Sequence, residues 1–309
     1  MNPAPSASSA AVPNFLDPAV LAGIHNYPLM ARTAVEGFLS GQHRSLYHGH
    51  GSEFFQYRSY TAGDDLKYVD WKVFGKHNRF YTKLFEEETN MDVCFVMDGS
   101  ASMMYRGEGA PCTKWQYGCI AAACLAYLAR GQGDAFGLYI YDDELRTLVP
   151  PGRRTGHFQT FLKSLAGFQP QKGRAANHEG TLDFLARRMR RRGLIVFISD
   201  MLESEETLPP LLRRLDRGGR DCLALQILDN DELDLPMTGA WQLRSLEGRS
   251  EILTDPGEIR DTYVRDMAQF LETLRRQLSN AEVDHLLCRT KDHLGRVLAA
   301  YLHRRELFS

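Results

Sequence analysis

A continuous apolar run that ends abruptly in polar residues constrains the fold of this chain most. Residues 93–97 read VCFVM, and Asp98, Ser100 and Ser102 follow directly. A run of this length with β-branched and aromatic members is typical of a parallel strand that is buried on both faces. In open α/β sheets, ligands bind beyond the carboxyl ends of the strands. We therefore expect Asp98 and the two serines to lie at a binding site.

After this strand, apolar strands alternate with helical segments. The pattern predicts strands at 93–97, 135–141, 194–198 and 222–228, and helices at 113–130, 155–165, 181–191 and 256–278. We also expect a strand-end turn at 229–232, edge strands at 241–245 and 250–253, a further strand at 283–287 and a final helix at 292–304. Alternating strands and helices indicate βαβ units. The predicted fold is α/β, with a doubly wound, mainly parallel sheet.

The part that precedes this α/β pattern has a different character. Residues 1–16 are rich in Ala, Ser and Pro, and we interpret them as a disordered tail. Residues 17–90 are predicted to hold N-terminal helices and a small aromatic-rich β unit with strands at 54–60 and 80–85. Residues 91–309 are predicted to form the α/β domain with its C-terminal helices.

Composition excludes several classes of function. The net charge of −2 lacks the basic excess of general nucleic-acid binders. No stretch approaches the ~20 apolar residues of a membrane span. The six cysteines form no C-x-x-C pair, and most lie in predicted strands or helices, so we expect them to be buried and reduced. We therefore expect a cytoplasmic protein.

Two further polar residues are placed to meet Asp98. Asp200 follows the buried strand at 194–198, and Thr181 follows Gly180 where a helix is predicted to begin. Because parallel strands end at the same edge of a sheet, the two carboxylates can converge. Carboxylate and hydroxyl oxygens are hard ligands that suit Mg²⁺, or Mn²⁺, rather than zinc. Some of these groups would act through water, which leaves a coordination position open for a carboxylate of another protein.

Each residue of this set also has a purely structural interpretation. Asp98 and Ser100 could form a polar turn that caps the next helix. Thr181 could be a helix N-cap, and Asp200 could belong to a simple strand-end turn. These alternatives stay open at this point.

The ordered set resembles the metal-ion-dependent adhesion site of von Willebrand factor A domains. That site has Asp-x-Ser-x-Ser after the first strand, a threonine in a later Gly-Thr loop and an aspartate after a later strand. Asp98, Ser100, Ser102, Thr181 and Asp200 correspond to it in order. The resemblance covers about residues 92–228 and implies these five residues as metal ligands.

A second signature precedes the first strand. It comprises Arg58-x-Tyr60-x-x-Gly63-Asp64-Asp65 followed by Asp70-Trp71. Over about residues 45–245 the chain resembles the bacterial family that carries the domain of unknown function fifty-eight. The resemblance implies association with MoxR-type AAA ATPases in chaperone-like maturation or remodelling of other proteins. The expected partner is thus a protein that presents an acidic residue, either such an ATPase or its client.

We expect no catalytic residues and no enzymatic activity. Haloacid-type phosphotransferases need a second aspartate where this chain has Ser100, and neither a phosphate-binding P-loop motif nor a G-x-S-x-G elbow occurs. The leading hypothesis is a metal-dependent protein-binding adaptor. The alternatives are an interaction scaffold with a vestigial metal site and a metal-dependent phosphoesterase.

Overall fold

The structure is a computed structural model that describes residues 53–59, 73–74, 80–86, 92–131, 133–189, 193–202, 206–215 and 220–292. The predicted tail, the helices before residue 41, the signature residues 60–71 and the final helix beyond residue 292 lie outside the described residues. Ser40–Asn90 forms one compact unit, and Met91–Ser309 belongs to a second.

The strands and helices have the following bounds in chain order. The strands are β1 (Glu53–Ser59), β2 (Tyr81–Glu86), β3 (Asp92–Asp98), β4 (Ala135–Tyr141), β5 (Leu145–Gly152), β6 (Gly193–Ser199), β7 (Arg220–Leu228), β8 (Trp241–Arg244), β9 (Glu251–Thr254) and β10 (Asp284–Arg289). The helices are α1 (Lys114–Gly131), α2 (His157–Gly167), α3 (His178–Arg188), α4 (Leu208–Leu215), α5 (Asn230–Asp234) and α6 (Pro256–Asn280), with a 3₁₀ turn at Ala101–Met104.

The smaller unit contains an antiparallel pair. β1 and β2 pair along their whole length, with Glu53 opposite Glu86 at one end and Ser59 opposite Tyr81 at the other. The register shifts between Phe54 and Gln56. This confirms the two strands predicted for the aromatic-rich segment. Alternation of apolar and polar residues identified these strands because one face of such a pair is apolar.

The larger unit is built on a six-stranded sheet with the order β10-β7-β6-β3-β4-β5. Neighbouring strands are parallel, except that β5 runs antiparallel to β4. Every residue of β4 and β6 is buried, which explains their continuous apolar sequences. The sheet confirms the predicted doubly wound, mainly parallel α/β fold.

Two apolar layers cover the faces of this sheet. Along β3, Phe95 and Met97 pack into the layer that includes α1 and α2, whereas Cys94 and Val96 pack into the layer that includes α3, α4 and the end of α6. Successive side chains of a strand point to opposite faces, so one strand contributes to both layers. Asp98, which ends β3, is thereby held between two packed layers.

Helix α1 lies very close to the sheet because it carries small residues on its buried face. Its alanines at 121, 122 and 123 are almost fully buried. A Cβ atom at Gly118 would lie 3.1 Å from both Ile198 Cγ2 and Ile227 Cδ1. The helix start, and Lys114 with it, is thus fixed near the carboxyl ends of β6 and β7.

Three predictions about local structure are wrong. The predicted edge strands at 241–245 and 250–253 form a separate hairpin, β8–β9, and β10 takes the edge position instead. Residues 229–232 are not a simple turn, because Asp229 and Glu232 form a capping box that starts α5. The helix predicted from residue 181 begins at His178, because the Asn177 side chain caps it.

The six cysteines, all in the described part of the chain, form no disulfide there, and all but the half-buried Cys112 are buried, as predicted. None of the described helices is both long and apolar enough to cross a membrane.

We predict that His285 makes the stability of the fold depend on pH. Burial, reinforced by Arg275, lowers the pKa of His285 from 6.5 to about 4. Its Nε2 donates to Oε1 of the buried Gln226 at 3.0 Å. Between these two pKa values the unfolded chain binds a proton that the folded chain does not. The free energy of unfolding should therefore fall as the pH drops from 6.5 to 4, by about 3 kcal/mol at most.

Urea unfolding of the native protein and of His285→Asn at pH 7, 6 and 5 measures this contribution. The stability difference between the two proteins should shrink as the pH falls, because only the native protein carries this histidine. A difference that is constant over the range would contradict the prediction.

Candidate metal centre

The candidate site lies where the winding of the sheet reverses. β3 and β6 are neighbours, and the chain continues outward from them in opposite directions. Such a switch point leaves a crevice at the carboxyl ends of the two strands. Asp98 ends β3 and Asp200 directly follows β6, and both line one cleft of about 630 Å³. The predicted convergence of the two carboxylates is thus present in the structure.

The turn after β3 is held by its own polar groups. The Ser100 backbone N–H donates to Asp98 Oδ1 at 2.8 Å, and the Ser100 and Ser102 hydroxyl oxygens lie 3.1 Å apart. The Ser102 side chain also lies close enough to Asp200 to lower the pKa of that carboxyl. The two serines therefore lie near both carboxylates, which accords with a shared site.

Gly99 is required for this turn by close packing. Its N–H donates to the Tyr141 carbonyl at 2.6 Å. A Cβ atom at this position would lie 2.5 Å from Cε1 of Phe168 and 3.2 Å from the Tyr141 carbonyl oxygen. Only a residue without a side chain fits between Asp98 and Ser100 without moving the aromatic ring.

The two aspartates have different electrostatic environments. Burial raises the pKa of Asp98, and the nearby Asp200 carboxylate raises it further. Ser199 donates its hydroxyl to Asp98 Oδ2 at 2.7 Å, which favours the charged form. Burial also opposes ionisation of Asp200, but the Lys114 ammonium lowers the pKa of that carboxyl below its usual range. Two carboxylates that repel each other across a cleft favour the binding of a cation between them.

Lys114 is a residue of this site that sequence reasoning missed. Its side chain is fully buried, and Nζ donates to Asp200 Oδ2 at 2.8 Å and to Glu232 Oε1 at 2.5 Å. Burial alone would lower the pKa of Lys114, but the two carboxylates raise it above its usual value. Nothing in the sequence singled out this lysine, because lysines are almost always exposed.

Asp98, Ser100 and Asp200 line the cleft, whereas Ser102 and Thr181 do not. Ser102 reaches it through its contact with Ser100, but no described contact of this kind involves Thr181. Thr181 is buried in the first turn of α3, where Asn177 Oδ1 accepts from the Gly180 N–H at 2.9 Å. Asn177 is thus the N-cap, and Thr181 does not have that structural role. A metal contact of Thr181 stays a prediction.

His178 and several acidic side chains complete the cleft. His178 Nδ1 lies 2.8 Å from the Tyr141 hydroxyl, and this histidine lowers the pKa of Asp98. The acidic residues that line the cleft are Asp98, Glu179, Asp200, Glu206 and Glu247, against one arginine, Arg214. Glu247 lies in the loop between β8 and β9, far along the chain from the ends of β3 and β6. The cleft therefore has an excess of negative charge.

The groups at the switch point fit Mg²⁺ or Mn²⁺ better than softer metals. Within the described residues, no group of three or more His, Cys, Asp or Glu side chains could by itself hold a metal. The donors are instead two carboxylates and two hydroxyls, an all-oxygen set that suits hard divalent cations. Each Asp98 oxygen accepts one hydrogen bond and keeps a second lone pair for a metal.

The strand order and the polar turn at its switch point agree with the von Willebrand factor A-type fold that the sequence resembles. The family described as "Protein of unknown function DUF58" matches residues 56–272. The chain therefore belongs to this family, as its Arg58 to Trp71 signature indicated.

Sequence relatives of similar length occur in mycobacteria. The chain is 29% identical over 294 residues to "Uncharacterized protein Rv1480" of Mycobacterium tuberculosis (strain ATCC 25618 / H37Rv), covering 94% of this chain and 91% of the relative. The same values apply to "Uncharacterized protein Mb1516" of Mycobacterium bovis. The similarity thus extends over both units of the chain.

The solved structures that match this chain share little sequence with it. A conserved hypothetical protein, BatB, from Bacteroides thetaiotaomicron is 13% identical to this chain and superposes with a TM-score of 0.46. The match covers 70% of this chain and 99% of the BatB chain. The VWA domain of SpRpn10 is 13% identical and superposes with a TM-score of 0.39. That match covers 68% of this chain and 94% of the SpRpn10 domain. At these scores the fold assignment rests on the strand order of the chain itself.

We predict that Lys114→Met destabilises the protein by about 3–5 kcal/mol, because Asp200 and Glu232 lose their shared cation inside the protein. Adding Glu232→Gln to this variant should restore part of the loss, since it removes one of the two unpaired charges. Urea unfolding measures both effects. Lys163→Met on the exposed face of α2 is the control and should change stability little. A Lys114→Met protein as stable as this control would contradict the prediction.

Proposed function

We propose that this protein is a non-enzymatic, Mg²⁺-dependent protein-binding adaptor. Asp98, Ser100 and Ser102 would hold the ion, with Asp200 and Thr181 as further ligands, directly or through water. The observation that supports this most is the convergence of two carboxylates and two hydroxyls at the switch point of the sheet. The open coordination position would accept a carboxylate of the partner, since Mg²⁺ prefers six oxygen ligands.

The contacts of the serines favour binding over catalysis. A nucleophilic serine needs a general base within hydrogen-bonding distance. In the described structure, the Ser100 and Ser102 hydroxyls contact each other, and the cleft histidine, His178, contacts Tyr141. No described contact links either serine to a histidine, and Asp200 near Ser102 is a weak base because Lys114 lowers the pKa of its carboxyl. This arrangement supports recognition of a partner rather than turnover.

The charge around the cleft indicates what the partner carries beside its acidic residue. Glu179 and Glu206 are exposed at the cleft, and the Arg214 guanidinium contacts Asp183. The metal would attract the partner's carboxylate, whereas the two glutamates would attract neighbouring cations. The partner segment that fits best is therefore an acidic residue flanked by lysines or arginines.

The family resemblance suggests which protein presents this segment. We propose a MoxR-type AAA ATPase, or a client protein that the two proteins mature or remodel together. The buried cysteines of the described residues form no disulfide, which is compatible with a reducing compartment and supports a cytoplasmic location.

One observation favours a second candidate, an interaction scaffold with a vestigial metal site. The Lys114 ammonium already neutralises Asp200, which reduces the need for a metal ion there. In that case the partner would bind to other surfaces and would not respond to metal removal.

We predict saturable binding of Mg²⁺ or Mn²⁺ that is at least about tenfold weaker in Asp98→Asn. The amide keeps an acceptor for the Ser100 N–H, so the turn can persist while one charge is lost. Titration calorimetry measures the affinity. Asp266→Asn, a change of equal charge on the exposed surface of α6, should bind like the native protein. Equal affinity in all three proteins would argue against the site.

The two candidate functions differ in how partner capture responds to chelation. Capture of the ATPase by the immobilised protein should be lost in EDTA and in Asp98→Asn if the metal bridges the two proteins. Capture that persists under both conditions would support the scaffold instead.

A further inference from the structure

A buried cation of the protein already contacts one carboxylate of the candidate metal centre. The Lys114 ammonium lies 2.8 Å from Asp200 Oδ2, and the lysine side chain is fully buried. Asp200 also lines the cleft, whereas Lys114 does not. A metal ion in the cleft and the lysine behind it would therefore share the negative charge of one carboxylate.

The Lys114 residue is held in place at both ends of its side chain. Nζ also donates to Glu232 Oε1 at 2.5 Å, and Glu232 Oε2 accepts from the Asp229 N–H at 2.8 Å. The backbone N–H of Lys114 donates to the Tyr105 carbonyl at 3.0 Å, at the start of the helix that lies close against the sheet. The ammonium therefore has a fixed position beside Asp200 and would have to break these contacts to move away from an incoming ion.

The other carboxylate of the cleft has a different environment. Asp98 contacts no lysine or arginine in the described part of the chain, and its two oxygens accept from the Ser100 N–H at 2.8 Å and the Ser199 hydroxyl at 2.7 Å. When ionised, Asp98 can thus offer its charge undivided to a divalent cation. Asp200 can offer only the part of its charge that Lys114 does not neutralise.

We infer that Lys114 sets the affinity of the cleft for a divalent cation. Its ammonium competes with the cation for Asp200, because positive charges that meet at one carboxylate repel each other. The cleft would thus hold the ion weakly, with Asp98 as the main anchor. This inference rests on the proposed function and adds the residue that regulates its metal site.

A weakened site has a consequence for partner binding. The partner's carboxylate would supply the negative charge that Lys114 withdraws at Asp200. The ion and the partner would then bind cooperatively, since each raises the affinity of the cleft for the other. Lys114 would thereby couple metal binding to the presence of the partner.

A purely structural role for Lys114 predicts a different result. In that case the lysine only neutralises two carboxylates inside the protein, and its loss changes stability but not metal affinity. The double variant Lys114→Met/Glu232→Gln separates the two roles, because it keeps the net charge of the native protein and leaves Asp200 without an ammonium. Glu232→Gln alone keeps the ammonium, with Asp200 as the carboxylate that remains in its described ion pairs.

The test titrates the full chain with Mn²⁺ by calorimetry, and circular dichroism establishes that each variant is folded. The double variant should bind Mn²⁺ at least about tenfold more tightly than the native protein. Adding Asp200→Asn to the double variant should abolish this gain, because the charge that was released is that of Asp200. Glu232→Gln alone should bind Mn²⁺ more weakly than the native protein, because the ammonium charge then falls on Asp200 alone.

Asp231→Asn is the matched control for Glu232→Gln. It removes an equal charge from the same short helix, but Asp231 accepts from the Glu108 N–H and not from Lys114. Its Mn²⁺ affinity should stay close to that of the native protein. If the double variant does not fold, these two single variants decide the question, and equal Mn²⁺ affinity in both would refute the inference.

The possible failures are distinguishable. If the native protein binds Mn²⁺ and the folded double variant binds it no more tightly, the metal site stands and the role of Lys114 is refuted. If the double variant binds Mn²⁺ and the native protein does not, Lys114 controls the site, and the saturable binding expected from the proposed function is absent. If none of these proteins binds Mn²⁺, both the proposed function and this inference are overturned.

Discussion

The arrangement of the cleft depends on the buried ammonium of Lys114. Its contacts with Asp200 and Glu232 join the end of β6 to the helix that follows β7. A buried charge is tolerated only when it is paired and hydrogen-bonded, so this lysine requires both carboxylates to stay where they are. The α1 helix that carries it cannot shift outward without breaking these contacts.

Neighbouring carboxylates extend this network along the same edge of the sheet. Asp229 accepts from the Gly107 N–H at 3.1 Å and from the Thr290 hydroxyl at 2.7 Å, and Asp231 accepts from the Glu108 N–H at 2.9 Å. Loops that follow β3, β7 and β10 are thus held together by acidic side chains. The edge that carries the candidate site is consequently a hydrogen-bonded assembly rather than a set of independent loops.

The sequence allowed the sheet and the two converging aspartates to be predicted, because buried parallel strands leave long apolar runs that end at polar residues. It did not reveal Lys114 or Glu247, whose positions depend on packing between segments far apart in the chain. The start of α3 was misplaced because Asn177 caps the helix before Thr181 is reached. The β8–β9 hairpin has strand-like sequence, and its separation from the main sheet follows only from the tertiary structure.

The packing around Gly99 has a consequence for how such chains are compared. The oxygen atoms that could hold a metal belong to residues on either side of this glycine, yet Phe168 and Tyr141 leave no room for a side chain between them. A homologue could keep every aspartate and serine of the motif and still have a displaced turn, because one added methyl group would have to push aside the Phe168 ring and the Tyr141 carbonyl. Surveys that infer metal binding only from the presence of these aspartates and serines would wrongly count the metal site of such a homologue as intact.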